Sequence, residues 1–168
     1  MIFVTVGTHE QQFDRLIKHI DELKMTGKIS EDVVMQTGYC VYEPVACKWN
    51  RILPFDEMKE NVSKARIIIT HGGPSSFIMA LQDGKIPIVV PRQKRYGEHV
   101  NDHQVEFVAQ VATRMKNIIA LKEVDNMLET IRGYDEIVEN MTRNNCSNNE
   151  HINYELSKIV CELMESTR

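Results

Sequence analysis

Ile67-Ile68-Ile69-Thr70 runs straight into His71-Gly72-Gly73-Pro74-Ser75-Ser76, and no other stretch of the chain limits the fold so much. A short apolar run rich in β-branched residues predicts a strand buried on both faces. Gly72-Gly73 permits a tight turn with exposed backbone, and Pro74 suits the first position of a helix. Phe77, Ile78, Ala80 and Leu81 give that helix an apolar face, Gly84 stops it, and Ile86 to Val90 reads as the next strand. This strand, glycine turn, helix, strand unit belongs in an open parallel sheet. Such a sheet takes ligands at the carboxyl ends of its strands, where free N–H groups at a helix start favour an anion such as a diphosphate.

The amino-terminal stretch repeats the design. Ile2 to Val6 predicts a strand, Gly7-Thr8 a turn, and Phe13, Leu16, Ile17, Ile20 and Leu23 a helix ending near Gly27. Gly7 is equally well explained as a close strand-to-helix turn or as a ligand-facing residue. A dinucleotide-type G-x-G-x-x-G is absent after this strand, which removes the main sequence support for NAD. Asp32 to Gln36 predicts a second strand, left at Gly38; Tyr39 to Asn50 has no readable pattern. Arg51 to Leu53 reads as a short strand closed by Pro54, and Asp56 to Lys64 as a helix with Met58 and Val62 inward. Alternating strands and helices predict an α/β fold, a doubly wound parallel Rossmann-like sheet.

Past Pro91 the loop carries Arg92, Lys94 and Arg95, positioned to neutralise a diphosphate or simply to form a solvated face. Glu98, His99, Asn101, Asp102, His103 and Gln104 crowd the start of the next helix, whose core side is Val105, Phe107, Val108 and Val111. So many directional hydrogen-bonding groups suit a hydroxyl-rich ligand such as a sugar. A weak strand follows around Met115 to Ile119, then helices over Val124 to Arg132 and Asp135 to Arg143. Residues 1–143 are expected to form one lobe. Residues 144–168 hold a polar break, Asn144 to Asn149, and a last amphipathic helix, Ile152 to Met164, that packs on its own lobe or on a partner.

Composition narrows the classes. With 20 Lys and Arg against 24 Asp and Glu the formal charge is −4, which argues against a general nucleic-acid binder. No apolar run is long enough to span a bilayer, and Met1 leads into a strand without a leader-like segment. The four cysteines show no C-x-x-C spacing, as expected of free thiols in a reducing cytoplasm.

Taken together, Val6-Gly7-Thr8, His71-Gly72-Gly73, the Gly84-x-x-Pro87 step and Asn101-Asp102-His103-Gln104 resemble the carboxyl lobe of family 28 glycosyltransferases. The chain is most similar to the small catalytic subunits of two-chain bacterial capsule and exopolysaccharide transferases. It is also similar to the soluble subunit of the enzyme that adds the second GlcNAc to dolichol-linked sugar. The resemblance implies a single carboxyl lobe of the GT-B fold, holding a UDP-sugar as substrate, with no cofactor and no metal. It also implies a separate membrane-anchored amino-lobe subunit, a lipid-linked acceptor and a place on the cytoplasmic face of the membrane. The isolated chain would then have its last helix free for a homodimer. Carried over by position, Gly7, Thr8, His71, Gly72, Gly73, Ser75 and Ser76 surround the diphosphate, and His103 and Gln104 hold sugar hydroxyls. Arg92 adds positive charge. Relatives place a ribose-binding glutamate where this chain has Met79, with Glu98 or Asp102 as substitutes. His9 is the candidate catalytic base within this chain; the usual base lies in the other lobe. Two alternatives stand beside this reading: a regulatory nucleotide-binding module, and a metal hydrolase using His99 and His103 on one helix face.

Overall fold

The computed structural model describes residues 1–145, with side chains through residue 141. Six strands form one all-parallel sheet: β1 (Ile2–Thr5), β2 (Val33–Gln36), β3 (Lys48–Asn50), β4 (Ile67–His71), β5 (Ile88–Val90) and β6 (Ile119–Ala120). Their order across the sheet is β3-β2-β1-β4-β5-β6. Ile2 lies opposite Val33 on one side and Ile67 on the other, and Ile69 lies opposite Ile88. From β1 the chain builds outward to β2 and β3, then returns to place β4 on the opposite flank. The order therefore reverses between β1 and β4, and the crevice at their carboxyl ends is the switch point of a Rossmann-like sheet.

Between the strands run α1 (Asp14–Met25), α2 (Phe55–Lys64), α3 (Pro74–Gln82) and α4 (His103–Met115), and α5 (Met127–Arg132) follows β6. Phe3 and Ile68 pack with Val62 of α2 and Ala80 of α3, and Val89 packs with Phe77 of α3 and Val108 of α4. The alternate strand residues Ile2, Val4, Ile67, Ile69, Ile88 and Val90 point the other way and are buried as well. Both faces of the sheet are thus covered, which is why β1 and β4 read as continuous apolar runs rather than alternating ones. Met1–Tyr134 forms one compact unit; α6 (Tyr134–Asn145) carries the described part of the next.

Several local expectations shift. The third strand is Lys48–Asn50, inside the stretch without a pattern, and Arg51 to Leu53 is a bend. Its approach is held by acids of α1. Asp14 Oδ1 accepts from Val41 N and Tyr42 N at 2.9 and 3.2 Å. The buried Asp21 carboxylate accepts from the Tyr42 hydroxyl and from Val45, Ala46 and Cys47 N at 2.8–3.0 Å. Burial would raise the pKa of Asp21, but these donors together bring it below the usual carboxylate value. β5 begins at Ile88, since Pro87 has no N–H to give the ladder. Met115 closes α4 instead of opening a strand, and Lys116 caps that helix in the left-handed region, φ 49°. Ile78 and Phe107, expected inward, are exposed on their helices. α6 continues through Asn144 and Asn145, into the expected polar break; the rest of that break and the last helix lie outside the described residues. Cys40 and Cys47 are free and buried. No helix among the described residues is long and apolar enough to cross a membrane.

Candidate functional site

A cleft of about 500 Å³ opens at the switch point. Thr5 and Gln36 lie at the ends of β1 and β2, where Gln36 Nε2 donates to Thr5 Oγ1 at 3.3 Å. Its Oε1 accepts from Leu53 N at 3.1 Å. One half of the cleft is polar, lined by Gly7, Thr8, His9, His71, Ser75 and Ser76. The other is apolar, lined by Ile52, Leu53, Phe55, Met58 and Met79.

His71 shapes the polar half. Its ring stands between the turns after β1 and β4, so a Cβ on Gly7 would lie 2.5 Å from His71 Cε1, and one on Gly73 2.3 Å from Nε2. Gly7 is needed twice over, because its φ is +71°. Burial, then Arg92 and His9, push the His71 pKa down to about 4, so the ring is neutral near pH 7. Beyond it, Pro74 occupies the first turn of α3, and the orphan N–H groups there, with the Ser75 and Ser76 hydroxyls, offer donors to an anion.

His9 lies at the mouth. Its Nδ1 accepts from Gln11 N at 3.2 Å, and its ring is 5.1 Å from that of His99. Burial, Arg92 and His99 lower its pKa. A neutral imidazole that accepts at Nδ1 carries its proton on Nε2. In this arrangement Nδ1 accepts from the Gln11 N–H and Nε2 offers an N–H donor.

The remaining candidates divide. Gly72 and Gly73 form the turn itself, and Gln104 lies against it: its Oε1 would be 3.0 Å from a Cβ at Gly72 and accepts from Arg92 N at 3.1 Å. Arg92 does not reach the cleft. Its side chain is fully buried, over the Phe13 ring, and donates to the carbonyls of Val6, Gln11, Gln12 and Glu98 at 2.7–3.2 Å. The guanidinium thus fastens the loop that carries Gly7, Thr8 and His9, which is a positioning role. Glu98 is buried beside it, bidentate to Arg15 at 2.9 and 3.0 Å and accepting from Gln93 N. Asp102 accepts from Lys94 N at 2.8 Å, and His103 is exposed with Glu106 at 3.8 Å. Glu98, Asp102, His103 and Gln104 are not among the residues lining the cleft. His99 precedes α4 and His103 begins it, so the two do not share a helix face. Among the described residues no group of three His, Cys, Asp or Glu side chains is placed to hold a metal ion. Sequence reasoning missed Gln36 and the apolar half; the one signal was a lone amide closing the apolar run Val33-Val34-Met35.

Residues 1–158 match the glycosyltransferase family 28 C-terminal domain. The chain belongs to that family. The family 28 lobe is 31% identical over 119 residues to the human UDP-N-acetylglucosamine transferase subunit ALG13, a match covering 66% of this chain and 10% of that protein. Two solved structures share its fold. The glycosyltransferase of kitacinnamycin superposes with a TM-score of 0.57 at 15% identity, over 84% of this chain and 37% of that one. CalG4, the calicheamicin glycosyltransferase, gives 0.53 at 15% identity, over 94% and 43%. The lobe therefore spans less than half the length of each of these relatives.

Proposed function

We propose that this lobe is the donor-binding subunit of a two-chain inverting glycosyltransferase. It moves a hexose from a UDP-sugar to a lipid-linked sugar diphosphate in capsular or exopolysaccharide synthesis. A separate membrane-anchored polypeptide brings the acceptor, at the cytoplasmic face of the membrane. The observation that carries the reading is the two-part cleft at the β1–β4 switch point, in a chain of family 28. Its N–H-rich half suits a diphosphate and its apolar half a nucleoside. Gln104, on the other flank of the turn, lies towards the hexose.

In the reaction the acceptor oxygen bonds to the anomeric carbon as the bond from that carbon to the diphosphate oxygen breaks. The electron pair leaves on UDP, and the acceptor proton passes to a base. His9, with Nδ1 engaged by the Gln11 N–H, serves the leaving diphosphate as a donor; the base comes from the second polypeptide, within hydrogen-bond reach of the acceptor.

Thermal unfolding in EDTA with UDP, a panel of UDP-sugars and NAD as control tests the donor site. A ligand at a hundred times its Kd stabilises by about 2.7 kcal/mol, a shift of roughly 5–11 °C for a chain of this size. A rise with UDP compounds and none with NAD is expected. No response to any UDP compound would overturn the reading.

A further inference from the structure

His9 and His99 come from different loops and meet at the mouth of the cleft, their ring centroids 5.1 Å apart and the planes tilted by 42°. Both rings are held in the same way. Nδ1 of His9 accepts from Gln11 N at 3.2 Å and Nδ1 of His99 from Asn101 N at 3.4 Å, in each case two residues further on. A neutral imidazole that accepts at Nδ1 carries its proton on Nε2, so each ring is set to donate from the same atom. The loops that carry them are fastened to each other. One nitrogen of Arg92 donates to the carbonyls of Gln11 and Gln12, beyond His9, and to that of Glu98, next to His99, at 2.7, 3.0 and 3.2 Å. Gln12 Nε2 donates to Tyr96 O at 3.1 Å, and Arg15, paired with Glu98, lies 4.6 Å from the centre of the Tyr96 ring. The spacing of the two imidazoles is therefore set before a ligand arrives, which lowers the ordering cost of a contact that uses both. His9 lines the polar half of the cleft with His71, Ser75 and Ser76. His99 is half-buried beside it, on the loop that leads from β5 to Gln104.

Resting on the donor-site reading above, we infer that His99 reads the sugar of the donor. His9 donates to the diphosphate end, and His99, on the side of Gln104, donates from Nε2 to a hydroxyl oxygen of the hexose. A hydroxyl accepts from a neutral N–H without the desolvation cost of an ion. That hydrogen bond does not exist when UDP alone is bound, so His99 separates the intact donor from the nucleotide product.

The test is calorimetric titration of the full-length chain with UDP, UDP-glucose, UDP-galactose and UDP-N-acetylglucosamine, repeated with His99→Phe and His99→Gln. Phe keeps a ring against His9 but has no N–H, whereas Gln gives up the ring and keeps a donor. His99→Phe is expected to weaken the best-bound UDP-hexose about fivefold, the loss of one neutral hydrogen bond, and to leave UDP within about twofold. His99→Gln should recover most of that loss. Full hexose affinity in His99→Phe would show that the ring only packs on His9 and would overturn the inference. Equal losses for UDP and the UDP-hexose would place the effect of His99 on the nucleotide end and overturn it as well. Silence of the unaltered chain towards all four ligands would overturn the donor-site reading itself, so the two failures are distinct.

Discussion

Gly73 has an ordinary extended backbone, φ −78° and ψ 130°, open to any residue. What excludes a side chain there is the His71 ring, whose Nε2 would be 2.3 Å from a Cβ. Gly73→Ala should therefore cost about 2–3 kcal/mol, as overpacking does. In a His71→Ala background the cost should fall below half, a coupling of about 1–2 kcal/mol in a double-mutant cycle by urea denaturation. Additive costs would show that the ring is not the obstacle. Gly7 will not be rescued in this way, because its positive φ remains. At this scale the sequence announced residue types but not their partners. Arg92 and Glu98 look like a solvated charge cluster in the one-dimensional string. Only the fold shows that four carbonyls from three segments converge on the guanidinium.

Among the elements, β1, β4 and the turns that follow them were legible because their signals are local: a buried β-branched run and then glycine. β3 was not, because its approach is fixed by α1, from a distant part of the chain. The Asp21 carboxylate takes three backbone N–H groups of the segment before β3, together with the Tyr42 hydroxyl. Asp21→Asn keeps the shape but turns an oxygen that accepts into an amide that donates. The expected loss is about 2–4 kcal/mol, with amide exchange at Val45 to Cys47 accelerated more than at Ile68. Uniform acceleration would mean that the carboxylate supports the whole sheet rather than this segment. The apolar half of the cleft was unreadable for a similar reason, since Ile52 and Met58 come from a bend and a helix whose faces depend on where β3 ends.

For the molecule as a whole, the buried histidine makes folding sensitive to mild acid. The unfolded chain takes up a proton on His71 below the ordinary value of 6.5, while the folded chain resists until about pH 4. Stability is thus full above pH 6.5 and declines as the pH falls towards 4, by about 2 kcal/mol at pH 5. His9 and His19, also lowered, act in the same direction. Urea denaturation at pH 7.5 and pH 5 should show the decline, and His71→Asn should remove most of it. An unchanged pH dependence in that variant would remove His71 as its cause. The clamp on β3 has one more consequence. An edge strand of three residues fastened by carboxylates, rather than by a broad apolar face, is the natural first piece of the sheet to peel away. Its detachment would carry Ile52 and Leu53 with it, so the apolar half of the cleft sits on the least cooperative margin of the fold, while the polar half rests on the central strands β1 and β4.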